Sequence, residues 1–179
     1  MKVWTVLLTV LLVILPWCPT TNAQGPPEVE ALNARGIELY NQGNYAGAES
    51  YFKRALTLQQ ARLPSGHPGI ARGFNNLAMV YQDQGRFSDA EPLYKQALAL
   101  REARLPPNHP DTVLSLNNLA TLYKDQNRLA LAEPLFVRAL KIRLATLSPV
   151  HPDLAVSLNN LGGLYQAQHR LNEARPLFE

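Results

Sequence analysis

The sequence predicts an all-α fold, a right-handed solenoid of helix-turn-helix repeats with three full copies and a truncated fourth. Three observations predict it. The stretch "FNNLAMVYQDQGRFSDAEPLYKQALALREARLPPNHPD" from Phe74 recurs from Leu116 as "LNNLATLYKDQNRLALAEPLFVRALKIRLATLSPVHPD", and again in part from Leu158, each start 42 residues after the last. A fixed period of this size marks stacked supersecondary units. Within each copy, apolar residues fall at helical spacing, and Gly, Asn or His-Pro punctuates the gaps.

The first residues stand apart. Lys2 precedes Val3 to Leu15, an apolar run interrupted only by Thr5 and Thr9, followed by Pro16, Pro19 and Thr21-Asn22-Ala23. This is the layout of a secretory signal peptide, residues 1–23, with cleavage after Ala23 and a short linker over 24–30. The run falls short of the ~20 residues that a membrane span needs. A secreted or periplasmic product is therefore expected, with anchoring by an uncleaved N-terminal segment as the alternative. Cys18 is the only cysteine, and Trp17 stands where lipid attachment wants a small residue. Cleavage after Ala23 would leave no cysteine for a disulfide, a nucleophile or a Cys/His zinc site.

The repeat domain spans 31–179, in copies of about 31–72, 73–114, 115–156 and a partial 157–179. In the second copy Phe74, Leu77, Ala78 and Tyr81 share one helical face. Gly85 then supplies a left-handed helix end. Ala90, Leu93, Tyr94, Ala97 and Leu98 mark a second face. Ser88 and Glu91 have capping-box spacing, which places that helix start near Ser88. Pro92, Pro134 and Pro176 are expected in the first turn or so, where N–H groups lack intrahelical partners. Asn127 and His169 replace Gly85 in the later copies; Asn is the better left-handed residue of the two.

The stretches "LPSGHPG", "LPPNHPD" and "LSPVHPD" hold His67, His109 and His151. Each is expected to be a joint: a helix ends near the leucine, the chain turns, and proline occupies the first position of the next helix. Asp111 and Asp153 then suit the positive helix end. The histidines occupy equivalent places in successive units. Packed helices lie ~8–10 Å apart, so these residues cannot share an ion whose ligands stand ~2 Å away. No metal ligand is expected.

The order Leu77-Ala78, Tyr81, Gly85, Phe87, Ala90, Tyr94, Ala97 resembles the tetratricopeptide repeat (TPR). Leu119-Ala120, Tyr123, Ala132, Phe136, Ala139 and Leu161-Gly162, Tyr165, Ala174, Phe178 follow the same pattern. The first copy matches through Gly36, Gly43, Tyr45, Ala48, Phe52 and Ala55, but has Arg35 and Leu39 where the others have Leu and Tyr. The 42-residue period, with "NNLA", "AEPLY" and "HPD", is similar to the kinesin-light-chain type. The resemblance implies a concave groove lined by the first helices, which binds a protein or peptide. By that comparison Asn33, Asn75, Asn117 and Asn159 face the groove, where an amide that donates and accepts suits a peptide group. Asn76, Asn118 and Asn160 are expected to bond a neighbouring helix or loop. Met79 and Thr121 should share the groove face, with Tyr40, Gln82, Lys124 and Gln166 near its edge. Tyr81, Tyr123 and Tyr165 are expected to pack between repeats.

Net charge is +3, one less without Lys2, and the basic residues are scattered. Nucleic-acid binding needs a focused basic patch. Ser115 and Ser157 have no His/Asp partners in the pattern, and neither paired carboxylates nor a glycine-rich phosphate loop occurs. No catalytic residue and no cofactor is expected. The function expected is an exported, non-catalytic repeat that binds a protein or peptide. The alternative is the N-terminal sensor or scaffold part of a longer enzyme or signalling protein. The last copy stops at Glu179 within its second helix, without the polar cap that a solenoid end needs. Continuation beyond Glu179 is the expectation, and self-association through that end is its alternative.

Overall fold

The computed structural model describes residues 26–178; the expected leader, Cys18, the expected cleavage site after Ala23 and Glu179 lie outside them. Helices α1 (Pro27–Asn41), α2 (Tyr45–Arg62), α3 (Pro68–Asp83), α4 (Phe87–Arg104), α5 (Pro110–Asp125), α6 (Leu129–Thr146) and α7 (Pro152–Ala167) are followed by the short α8 (Leu171–Ala174) and a 3₁₀ turn, Arg175–Leu177. Each helix packs on the next in the chain, and α3 also touches α5 directly. Odd-numbered helices are thus the first of each unit and even-numbered helices the second. The first helices start before the copy boundaries at 73, 115 and 157, and α1 begins inside the stretch expected to be linker.

The joints form as expected, with one added detail. Leu63, Leu105 and Leu147 are extended residues that end α2, α4 and α6. The histidines are N-caps in their own right. Nδ1 of His67, His109 and His151 accepts from the backbone N–H of Gly69, Asp111 and Asp153 at 3.0, 3.1 and 3.1 Å. Imidazole can accept at Nδ1 only when that nitrogen carries no proton, so Nε2 holds the hydrogen. His109→Ala should lower stability by ~1 kcal/mol, while His109→Asp keeps most of it, because Asp caps by the same bond. Urea midpoints of the two variants check this.

The turns between paired helices also follow the sequence. Gly43 and Gly85 have φ of 74°, and Asn127 and His169 hold the same left-handed place at 57° and 60°.

Two expectations change. Helix α4 starts at Phe87, and its N-cap Arg86 makes no side-chain cap bond. Ser88 therefore lies inside the helix and the capping box does not form. Glu91 instead meets Lys95 and Arg128 at 2.7 and 2.6 Å and accepts from the Tyr123 hydroxyl at 3.1 Å. The prolines also sit deeper than expected. Pro92 and Pro134 are the sixth residues of α4 and α6, in the second turn. Each removes one ladder bond, to the carbonyl of Ser88 or Ala130. All four of these residues are exposed, so the freed carbonyls lie on the wet side of the helix. Pro176 does open a turn, the final 3₁₀ segment.

One apolar core runs the length of the stack, from Leu39, Ala48 and Phe52 through Leu77, Tyr81 and Tyr94 to Phe136, Leu161 and Leu164. Inside each unit a small residue of the first helix faces an aromatic ring of the second. A Cβ on Gly36 would lie 2.6 Å from the Phe52 ring, and one on Gly162 would lie 2.6 Å from Phe178. Ala78 with Tyr94 and Ala120 with Phe136 hold the equivalent places in the core.

Candidate partner-binding face

Helices α3 and α5 are covered by neighbours on both sides, and each leaves one stripe partly open. On α3 it is Arg72, Asn76, Met79 and Asp83; on α5 it is Leu114, Asn118, Thr121 and Asp125. Steps of four, three and four residues keep a stripe on a single helical face. The stripes are stitched together. Asn76 Nδ2 donates to Asn33 Oδ1 at 3.4 Å, and Gln82 Nε2 donates to Asp125 at 2.6 Å. The Tyr40 hydroxyl donates to Asp83, and Arg72 pairs with Glu30. Burial, reinforced by Asp83, holds the Tyr40 phenol far above its usual range, so it remains a donor. The surface continues onto α7 through Val156, Asn160 and Gly163. Ile37, Leu114 and Val156, at 46%, 48% and 48% exposure, give it apolar spots.

The asparagine pairs are turned differently from the sequence expectation. Asn33, Asn75 and Asn117 are buried, at 4%, 5% and 8% exposure. Asn76, Asn118 and Asn160 are the ones on the open stripe. Successive helix residues point about 100° apart, and that step carries the first asparagine into the seam between consecutive first helices. Asn159 is exposed, with no further first helix among the described residues to cover it. Within the seam the Asn75 amide, turned with its oxygen towards Arg101, faces the guanidinium, with Nη1 2.6 Å and Nη2 3.3 Å away. Met79 and Thr121 lie half-buried on the stripe. Gln82 and Lys124 are half-buried and Gln166 is exposed, alongside it. Gln82 is also a brace: its Oε1 accepts from the Tyr94 hydroxyl at 3.0 Å.

A second set of residues, unremarked in the sequence, fixes the seam. Arg101 is 3% exposed, and its Nη1 donates to the Asp111 carbonyl at 2.9 Å and to Ser115 Oγ at 2.7 Å. Arg143 repeats the arrangement with the Asp153 carbonyl and Ser157 Oγ at 2.6 and 2.9 Å. In the first seam Gln59 donates to the Gly69 carbonyl at 2.9 Å, and Gly73 stands where the serine would be. A Cβ on Gly73 would collide with the Gln59 amide oxygen. Burial pulls the Arg101 pKa below its usual value, while nearby Asp111 acts the other way. The sequence signal was there: Gln-Arg-Arg and Gly-Ser-Ser recur in step at the 42-residue period.

A third ladder binds the turns. Glu49, Glu91 and Glu133 pair with Arg86, Arg128 and Arg170 of the next unit at 3.0, 2.6 and 2.7 Å. Each arginine lies over Tyr81, Tyr123 or Tyr165, 4.0, 4.6 and 4.2 Å from the ring centroid. The tyrosines thus act between repeats, as expected, and also carry a cation–π contact. Among the described residues, no group of three or more His, Cys, Asp and Glu could hold a metal ion. No described helix is long and apolar enough to cross a membrane.

Comparison with known proteins adds family and fold. The tetratricopeptide repeat profile matches residues 28–103, 70–145 and 111–179. No curated protein matches the sequence. Among solved structures, the Podosopora anserina protein described as having kinesin light chain nearly identical TPR-like repeats is 26% identical, with a TM-score of 0.77 over 83% of this chain and 71% of that one. BtubC (BKLC) from P. vanneervenii is 23% identical, with a TM-score of 0.76 over 83% of this chain and 59% of that one. The apo form of RapI is 18% identical, with a TM-score of 0.73 over 84% of this chain and 53% of that one. The last two likenesses concern the fold alone. Repeat stacking, the seam bonds and the profile match along the described helices agree, and the chain belongs to the tetratricopeptide repeat family.

Proposed function

We propose that the chain is an exported binding protein, without catalysis of its own, that holds a protein or peptide along the face made by α1, α3, α5 and α7. One observation carries this reading. The amides of Asn76, Asn118 and Asn160 recur at the repeat period on an open stripe, beside the exposed apolar side chains of Leu114 and Val156. An amide can donate and accept at once, which matches the peptide group. Solenoids of this kind present long surfaces to partners. Export rests on the apolar run Val3 to Leu15 and the small-residue site at Ala23.

The test is crosslinking in the secreted or periplasmic fraction, comparing wild type with a variant carrying Asn76→Ala, Asn118→Ala and Asn160→Ala. Each lost amide bond should weaken partner binding by about 1 kcal/mol, with the helices intact. A folded triple variant that recovers the same partners with unchanged affinity would show that the stripe is not the binding face. N-terminal sequencing of the recovered protein should begin at Gln24; a chain that still starts at Met1 would count against cleavage.

A further inference from the structure

In one interval an arginine of this chain reaches across to the preceding joint, and in the next a threonine stands in its place. Arg104, at the end of α4, reaches back to the preceding joint. Its Nη2 approaches the Ser65 carbonyl at 3.5 Å, and a Cβ on Gly66 would meet its Nε at 2.5 Å. Forty-two residues on, Thr146 replaces Arg104 and Leu114 replaces Arg72. The Thr146 hydroxyl turns back to the Ile142 carbonyl at 2.8 Å and reaches nothing across the joint. A cavity of about 410 Å³ lies there, between the joint before α5 and the joint before α7. Its lining includes the apolar Val113, Leu114 and Leu147 and the acidic Asp111 and Asp153.

We infer that this cavity receives an arginine side chain from the partner polypeptide. The inference rests on the binding reading above and names the partner's chemistry. The aliphatic stem of arginine suits the Leu114 and Leu147 part of the lining, and its head suits the acids. The lining has one cation of its own, Arg143, which is already engaged: Nη1 donates to the Asp153 carbonyl and Ser157 Oγ, and Nη2 is 3.6 Å from the Asp153 carboxylate. His151 accepts through Nδ1 and is neutral in that role. Two carboxylates against one guanidinium leave the cavity net negative. The competing occupant is an anion, since the N-termini of α5 and α7 both lie at the rim.

The experiment titrates the full secreted chain with N-acetyl-arginine amide and follows the methyl resonances of Val113, Leu114 and Leu147. N-acetyl-norleucine amide and N-acetyl-glutamate amide serve as neutral and anionic controls. Saturable shifts with the arginine probe are expected, with affinity at least fivefold above either control. Thr146→Arg should abolish them by restoring the arrangement seen at Arg104, and Leu114→Arg should do so from the other wall. No binding, equal binding of a control, or arginine binding that survives both substitutions would overturn the inference. Partner crosslinking lost in the asparagine variant, alongside a chain that ignores the arginine probe, would sink the cavity reading and leave the binding face standing.

Discussion

Arg101→Gln should destabilise the stack by about 3 kcal/mol, and Ser115→Gly should cost much less when added to it than when made alone. The guanidinium is the donor for three groups at the α3–α4–α5 seam: the Asp111 carbonyl, Ser115 Oγ and the Asn75 amide. A buried acceptor left without its donor costs ~1–3 kcal/mol. Glutamine is not an arbitrary replacement, because Gln59 fills the same place in the first seam and reaches the Gly69 carbonyl alone. It fits there because position 73 is glycine, whose missing Cβ leaves room for the amide oxygen. At the second seam the Ser115 Cβ would stand in that room. Ser115→Gly alone loses a hydrogen bond and puts glycine inside α5, for a cost of about 1–2 kcal/mol. Together the two changes recreate the first seam, so their effects should fall short of the sum by about 1–2 kcal/mol. Urea unfolding of the four proteins of this cycle measures the coupling, with hydrogen exchange at α4 and α5 to place the loss. Additive effects would mean that the glycine and the glutamine are unrelated, and that the seam does not depend on this fit.

That pair also shows where sequence reasoning stopped. The helices and joints were legible because their signals are local. His-Pro at 67, 109 and 151 sets each first helix, and Gly85 with its replacements Asn127 and His169 sets each turn. Which face of a helix is covered is not a local property. Asn75 and Asn76 are adjacent and identical, and periodicity does not say which one the next repeat will bury. Contact with Arg101, 26 positions further along, decides it. Glu91 failed for the same reason. Its spacing from Ser88 fits a cap, but its strongest partners include Arg128, 37 residues away. The open stripe shares that limit. Met79 and Thr121 were assigned to it from their place one turn beyond the asparagines, whereas Leu114 and Val156 are exposed only because the stack leaves that side uncovered.

Acid should weaken the stack between about pH 4.5 and pH 2, and Glu91→Gln should remove a measurable part of that dependence. Hydrogen bonding from Lys95 is the main influence that lowers the Glu91 pKa from 4.5 to about 2; Arg128 and Tyr123 add to it and burial opposes it. Glu133 is lowered chiefly by Arg170. For Glu49 burial alone would raise the pKa, but Lys53, Gln84 and Arg86 outweigh it and the net direction is down. A carboxylate whose folded pKa is depressed stabilises the fold fully above its unfolded pKa, near 4.5. That contribution is lost as pH falls through the folded value. For Glu91 the interval converts to ~3 kcal/mol at 1.36 kcal/mol per unit. The partners lie in high dielectric, with Lys95 and Arg128 side chains 56% and 41% exposed, so about half of it is expected to register. Glu91→Gln keeps the shape and part of the hydrogen bonding while removing the charge. It should cost about 1–2 kcal/mol at pH 7 and almost nothing at pH 2. The stability curves of wild type and variant should therefore converge on acidification, and molar salt should narrow the gap at pH 7 by screening the exposed arms. Parallel curves across this range would show that the Glu–Arg ladder orients the turns without stabilising them.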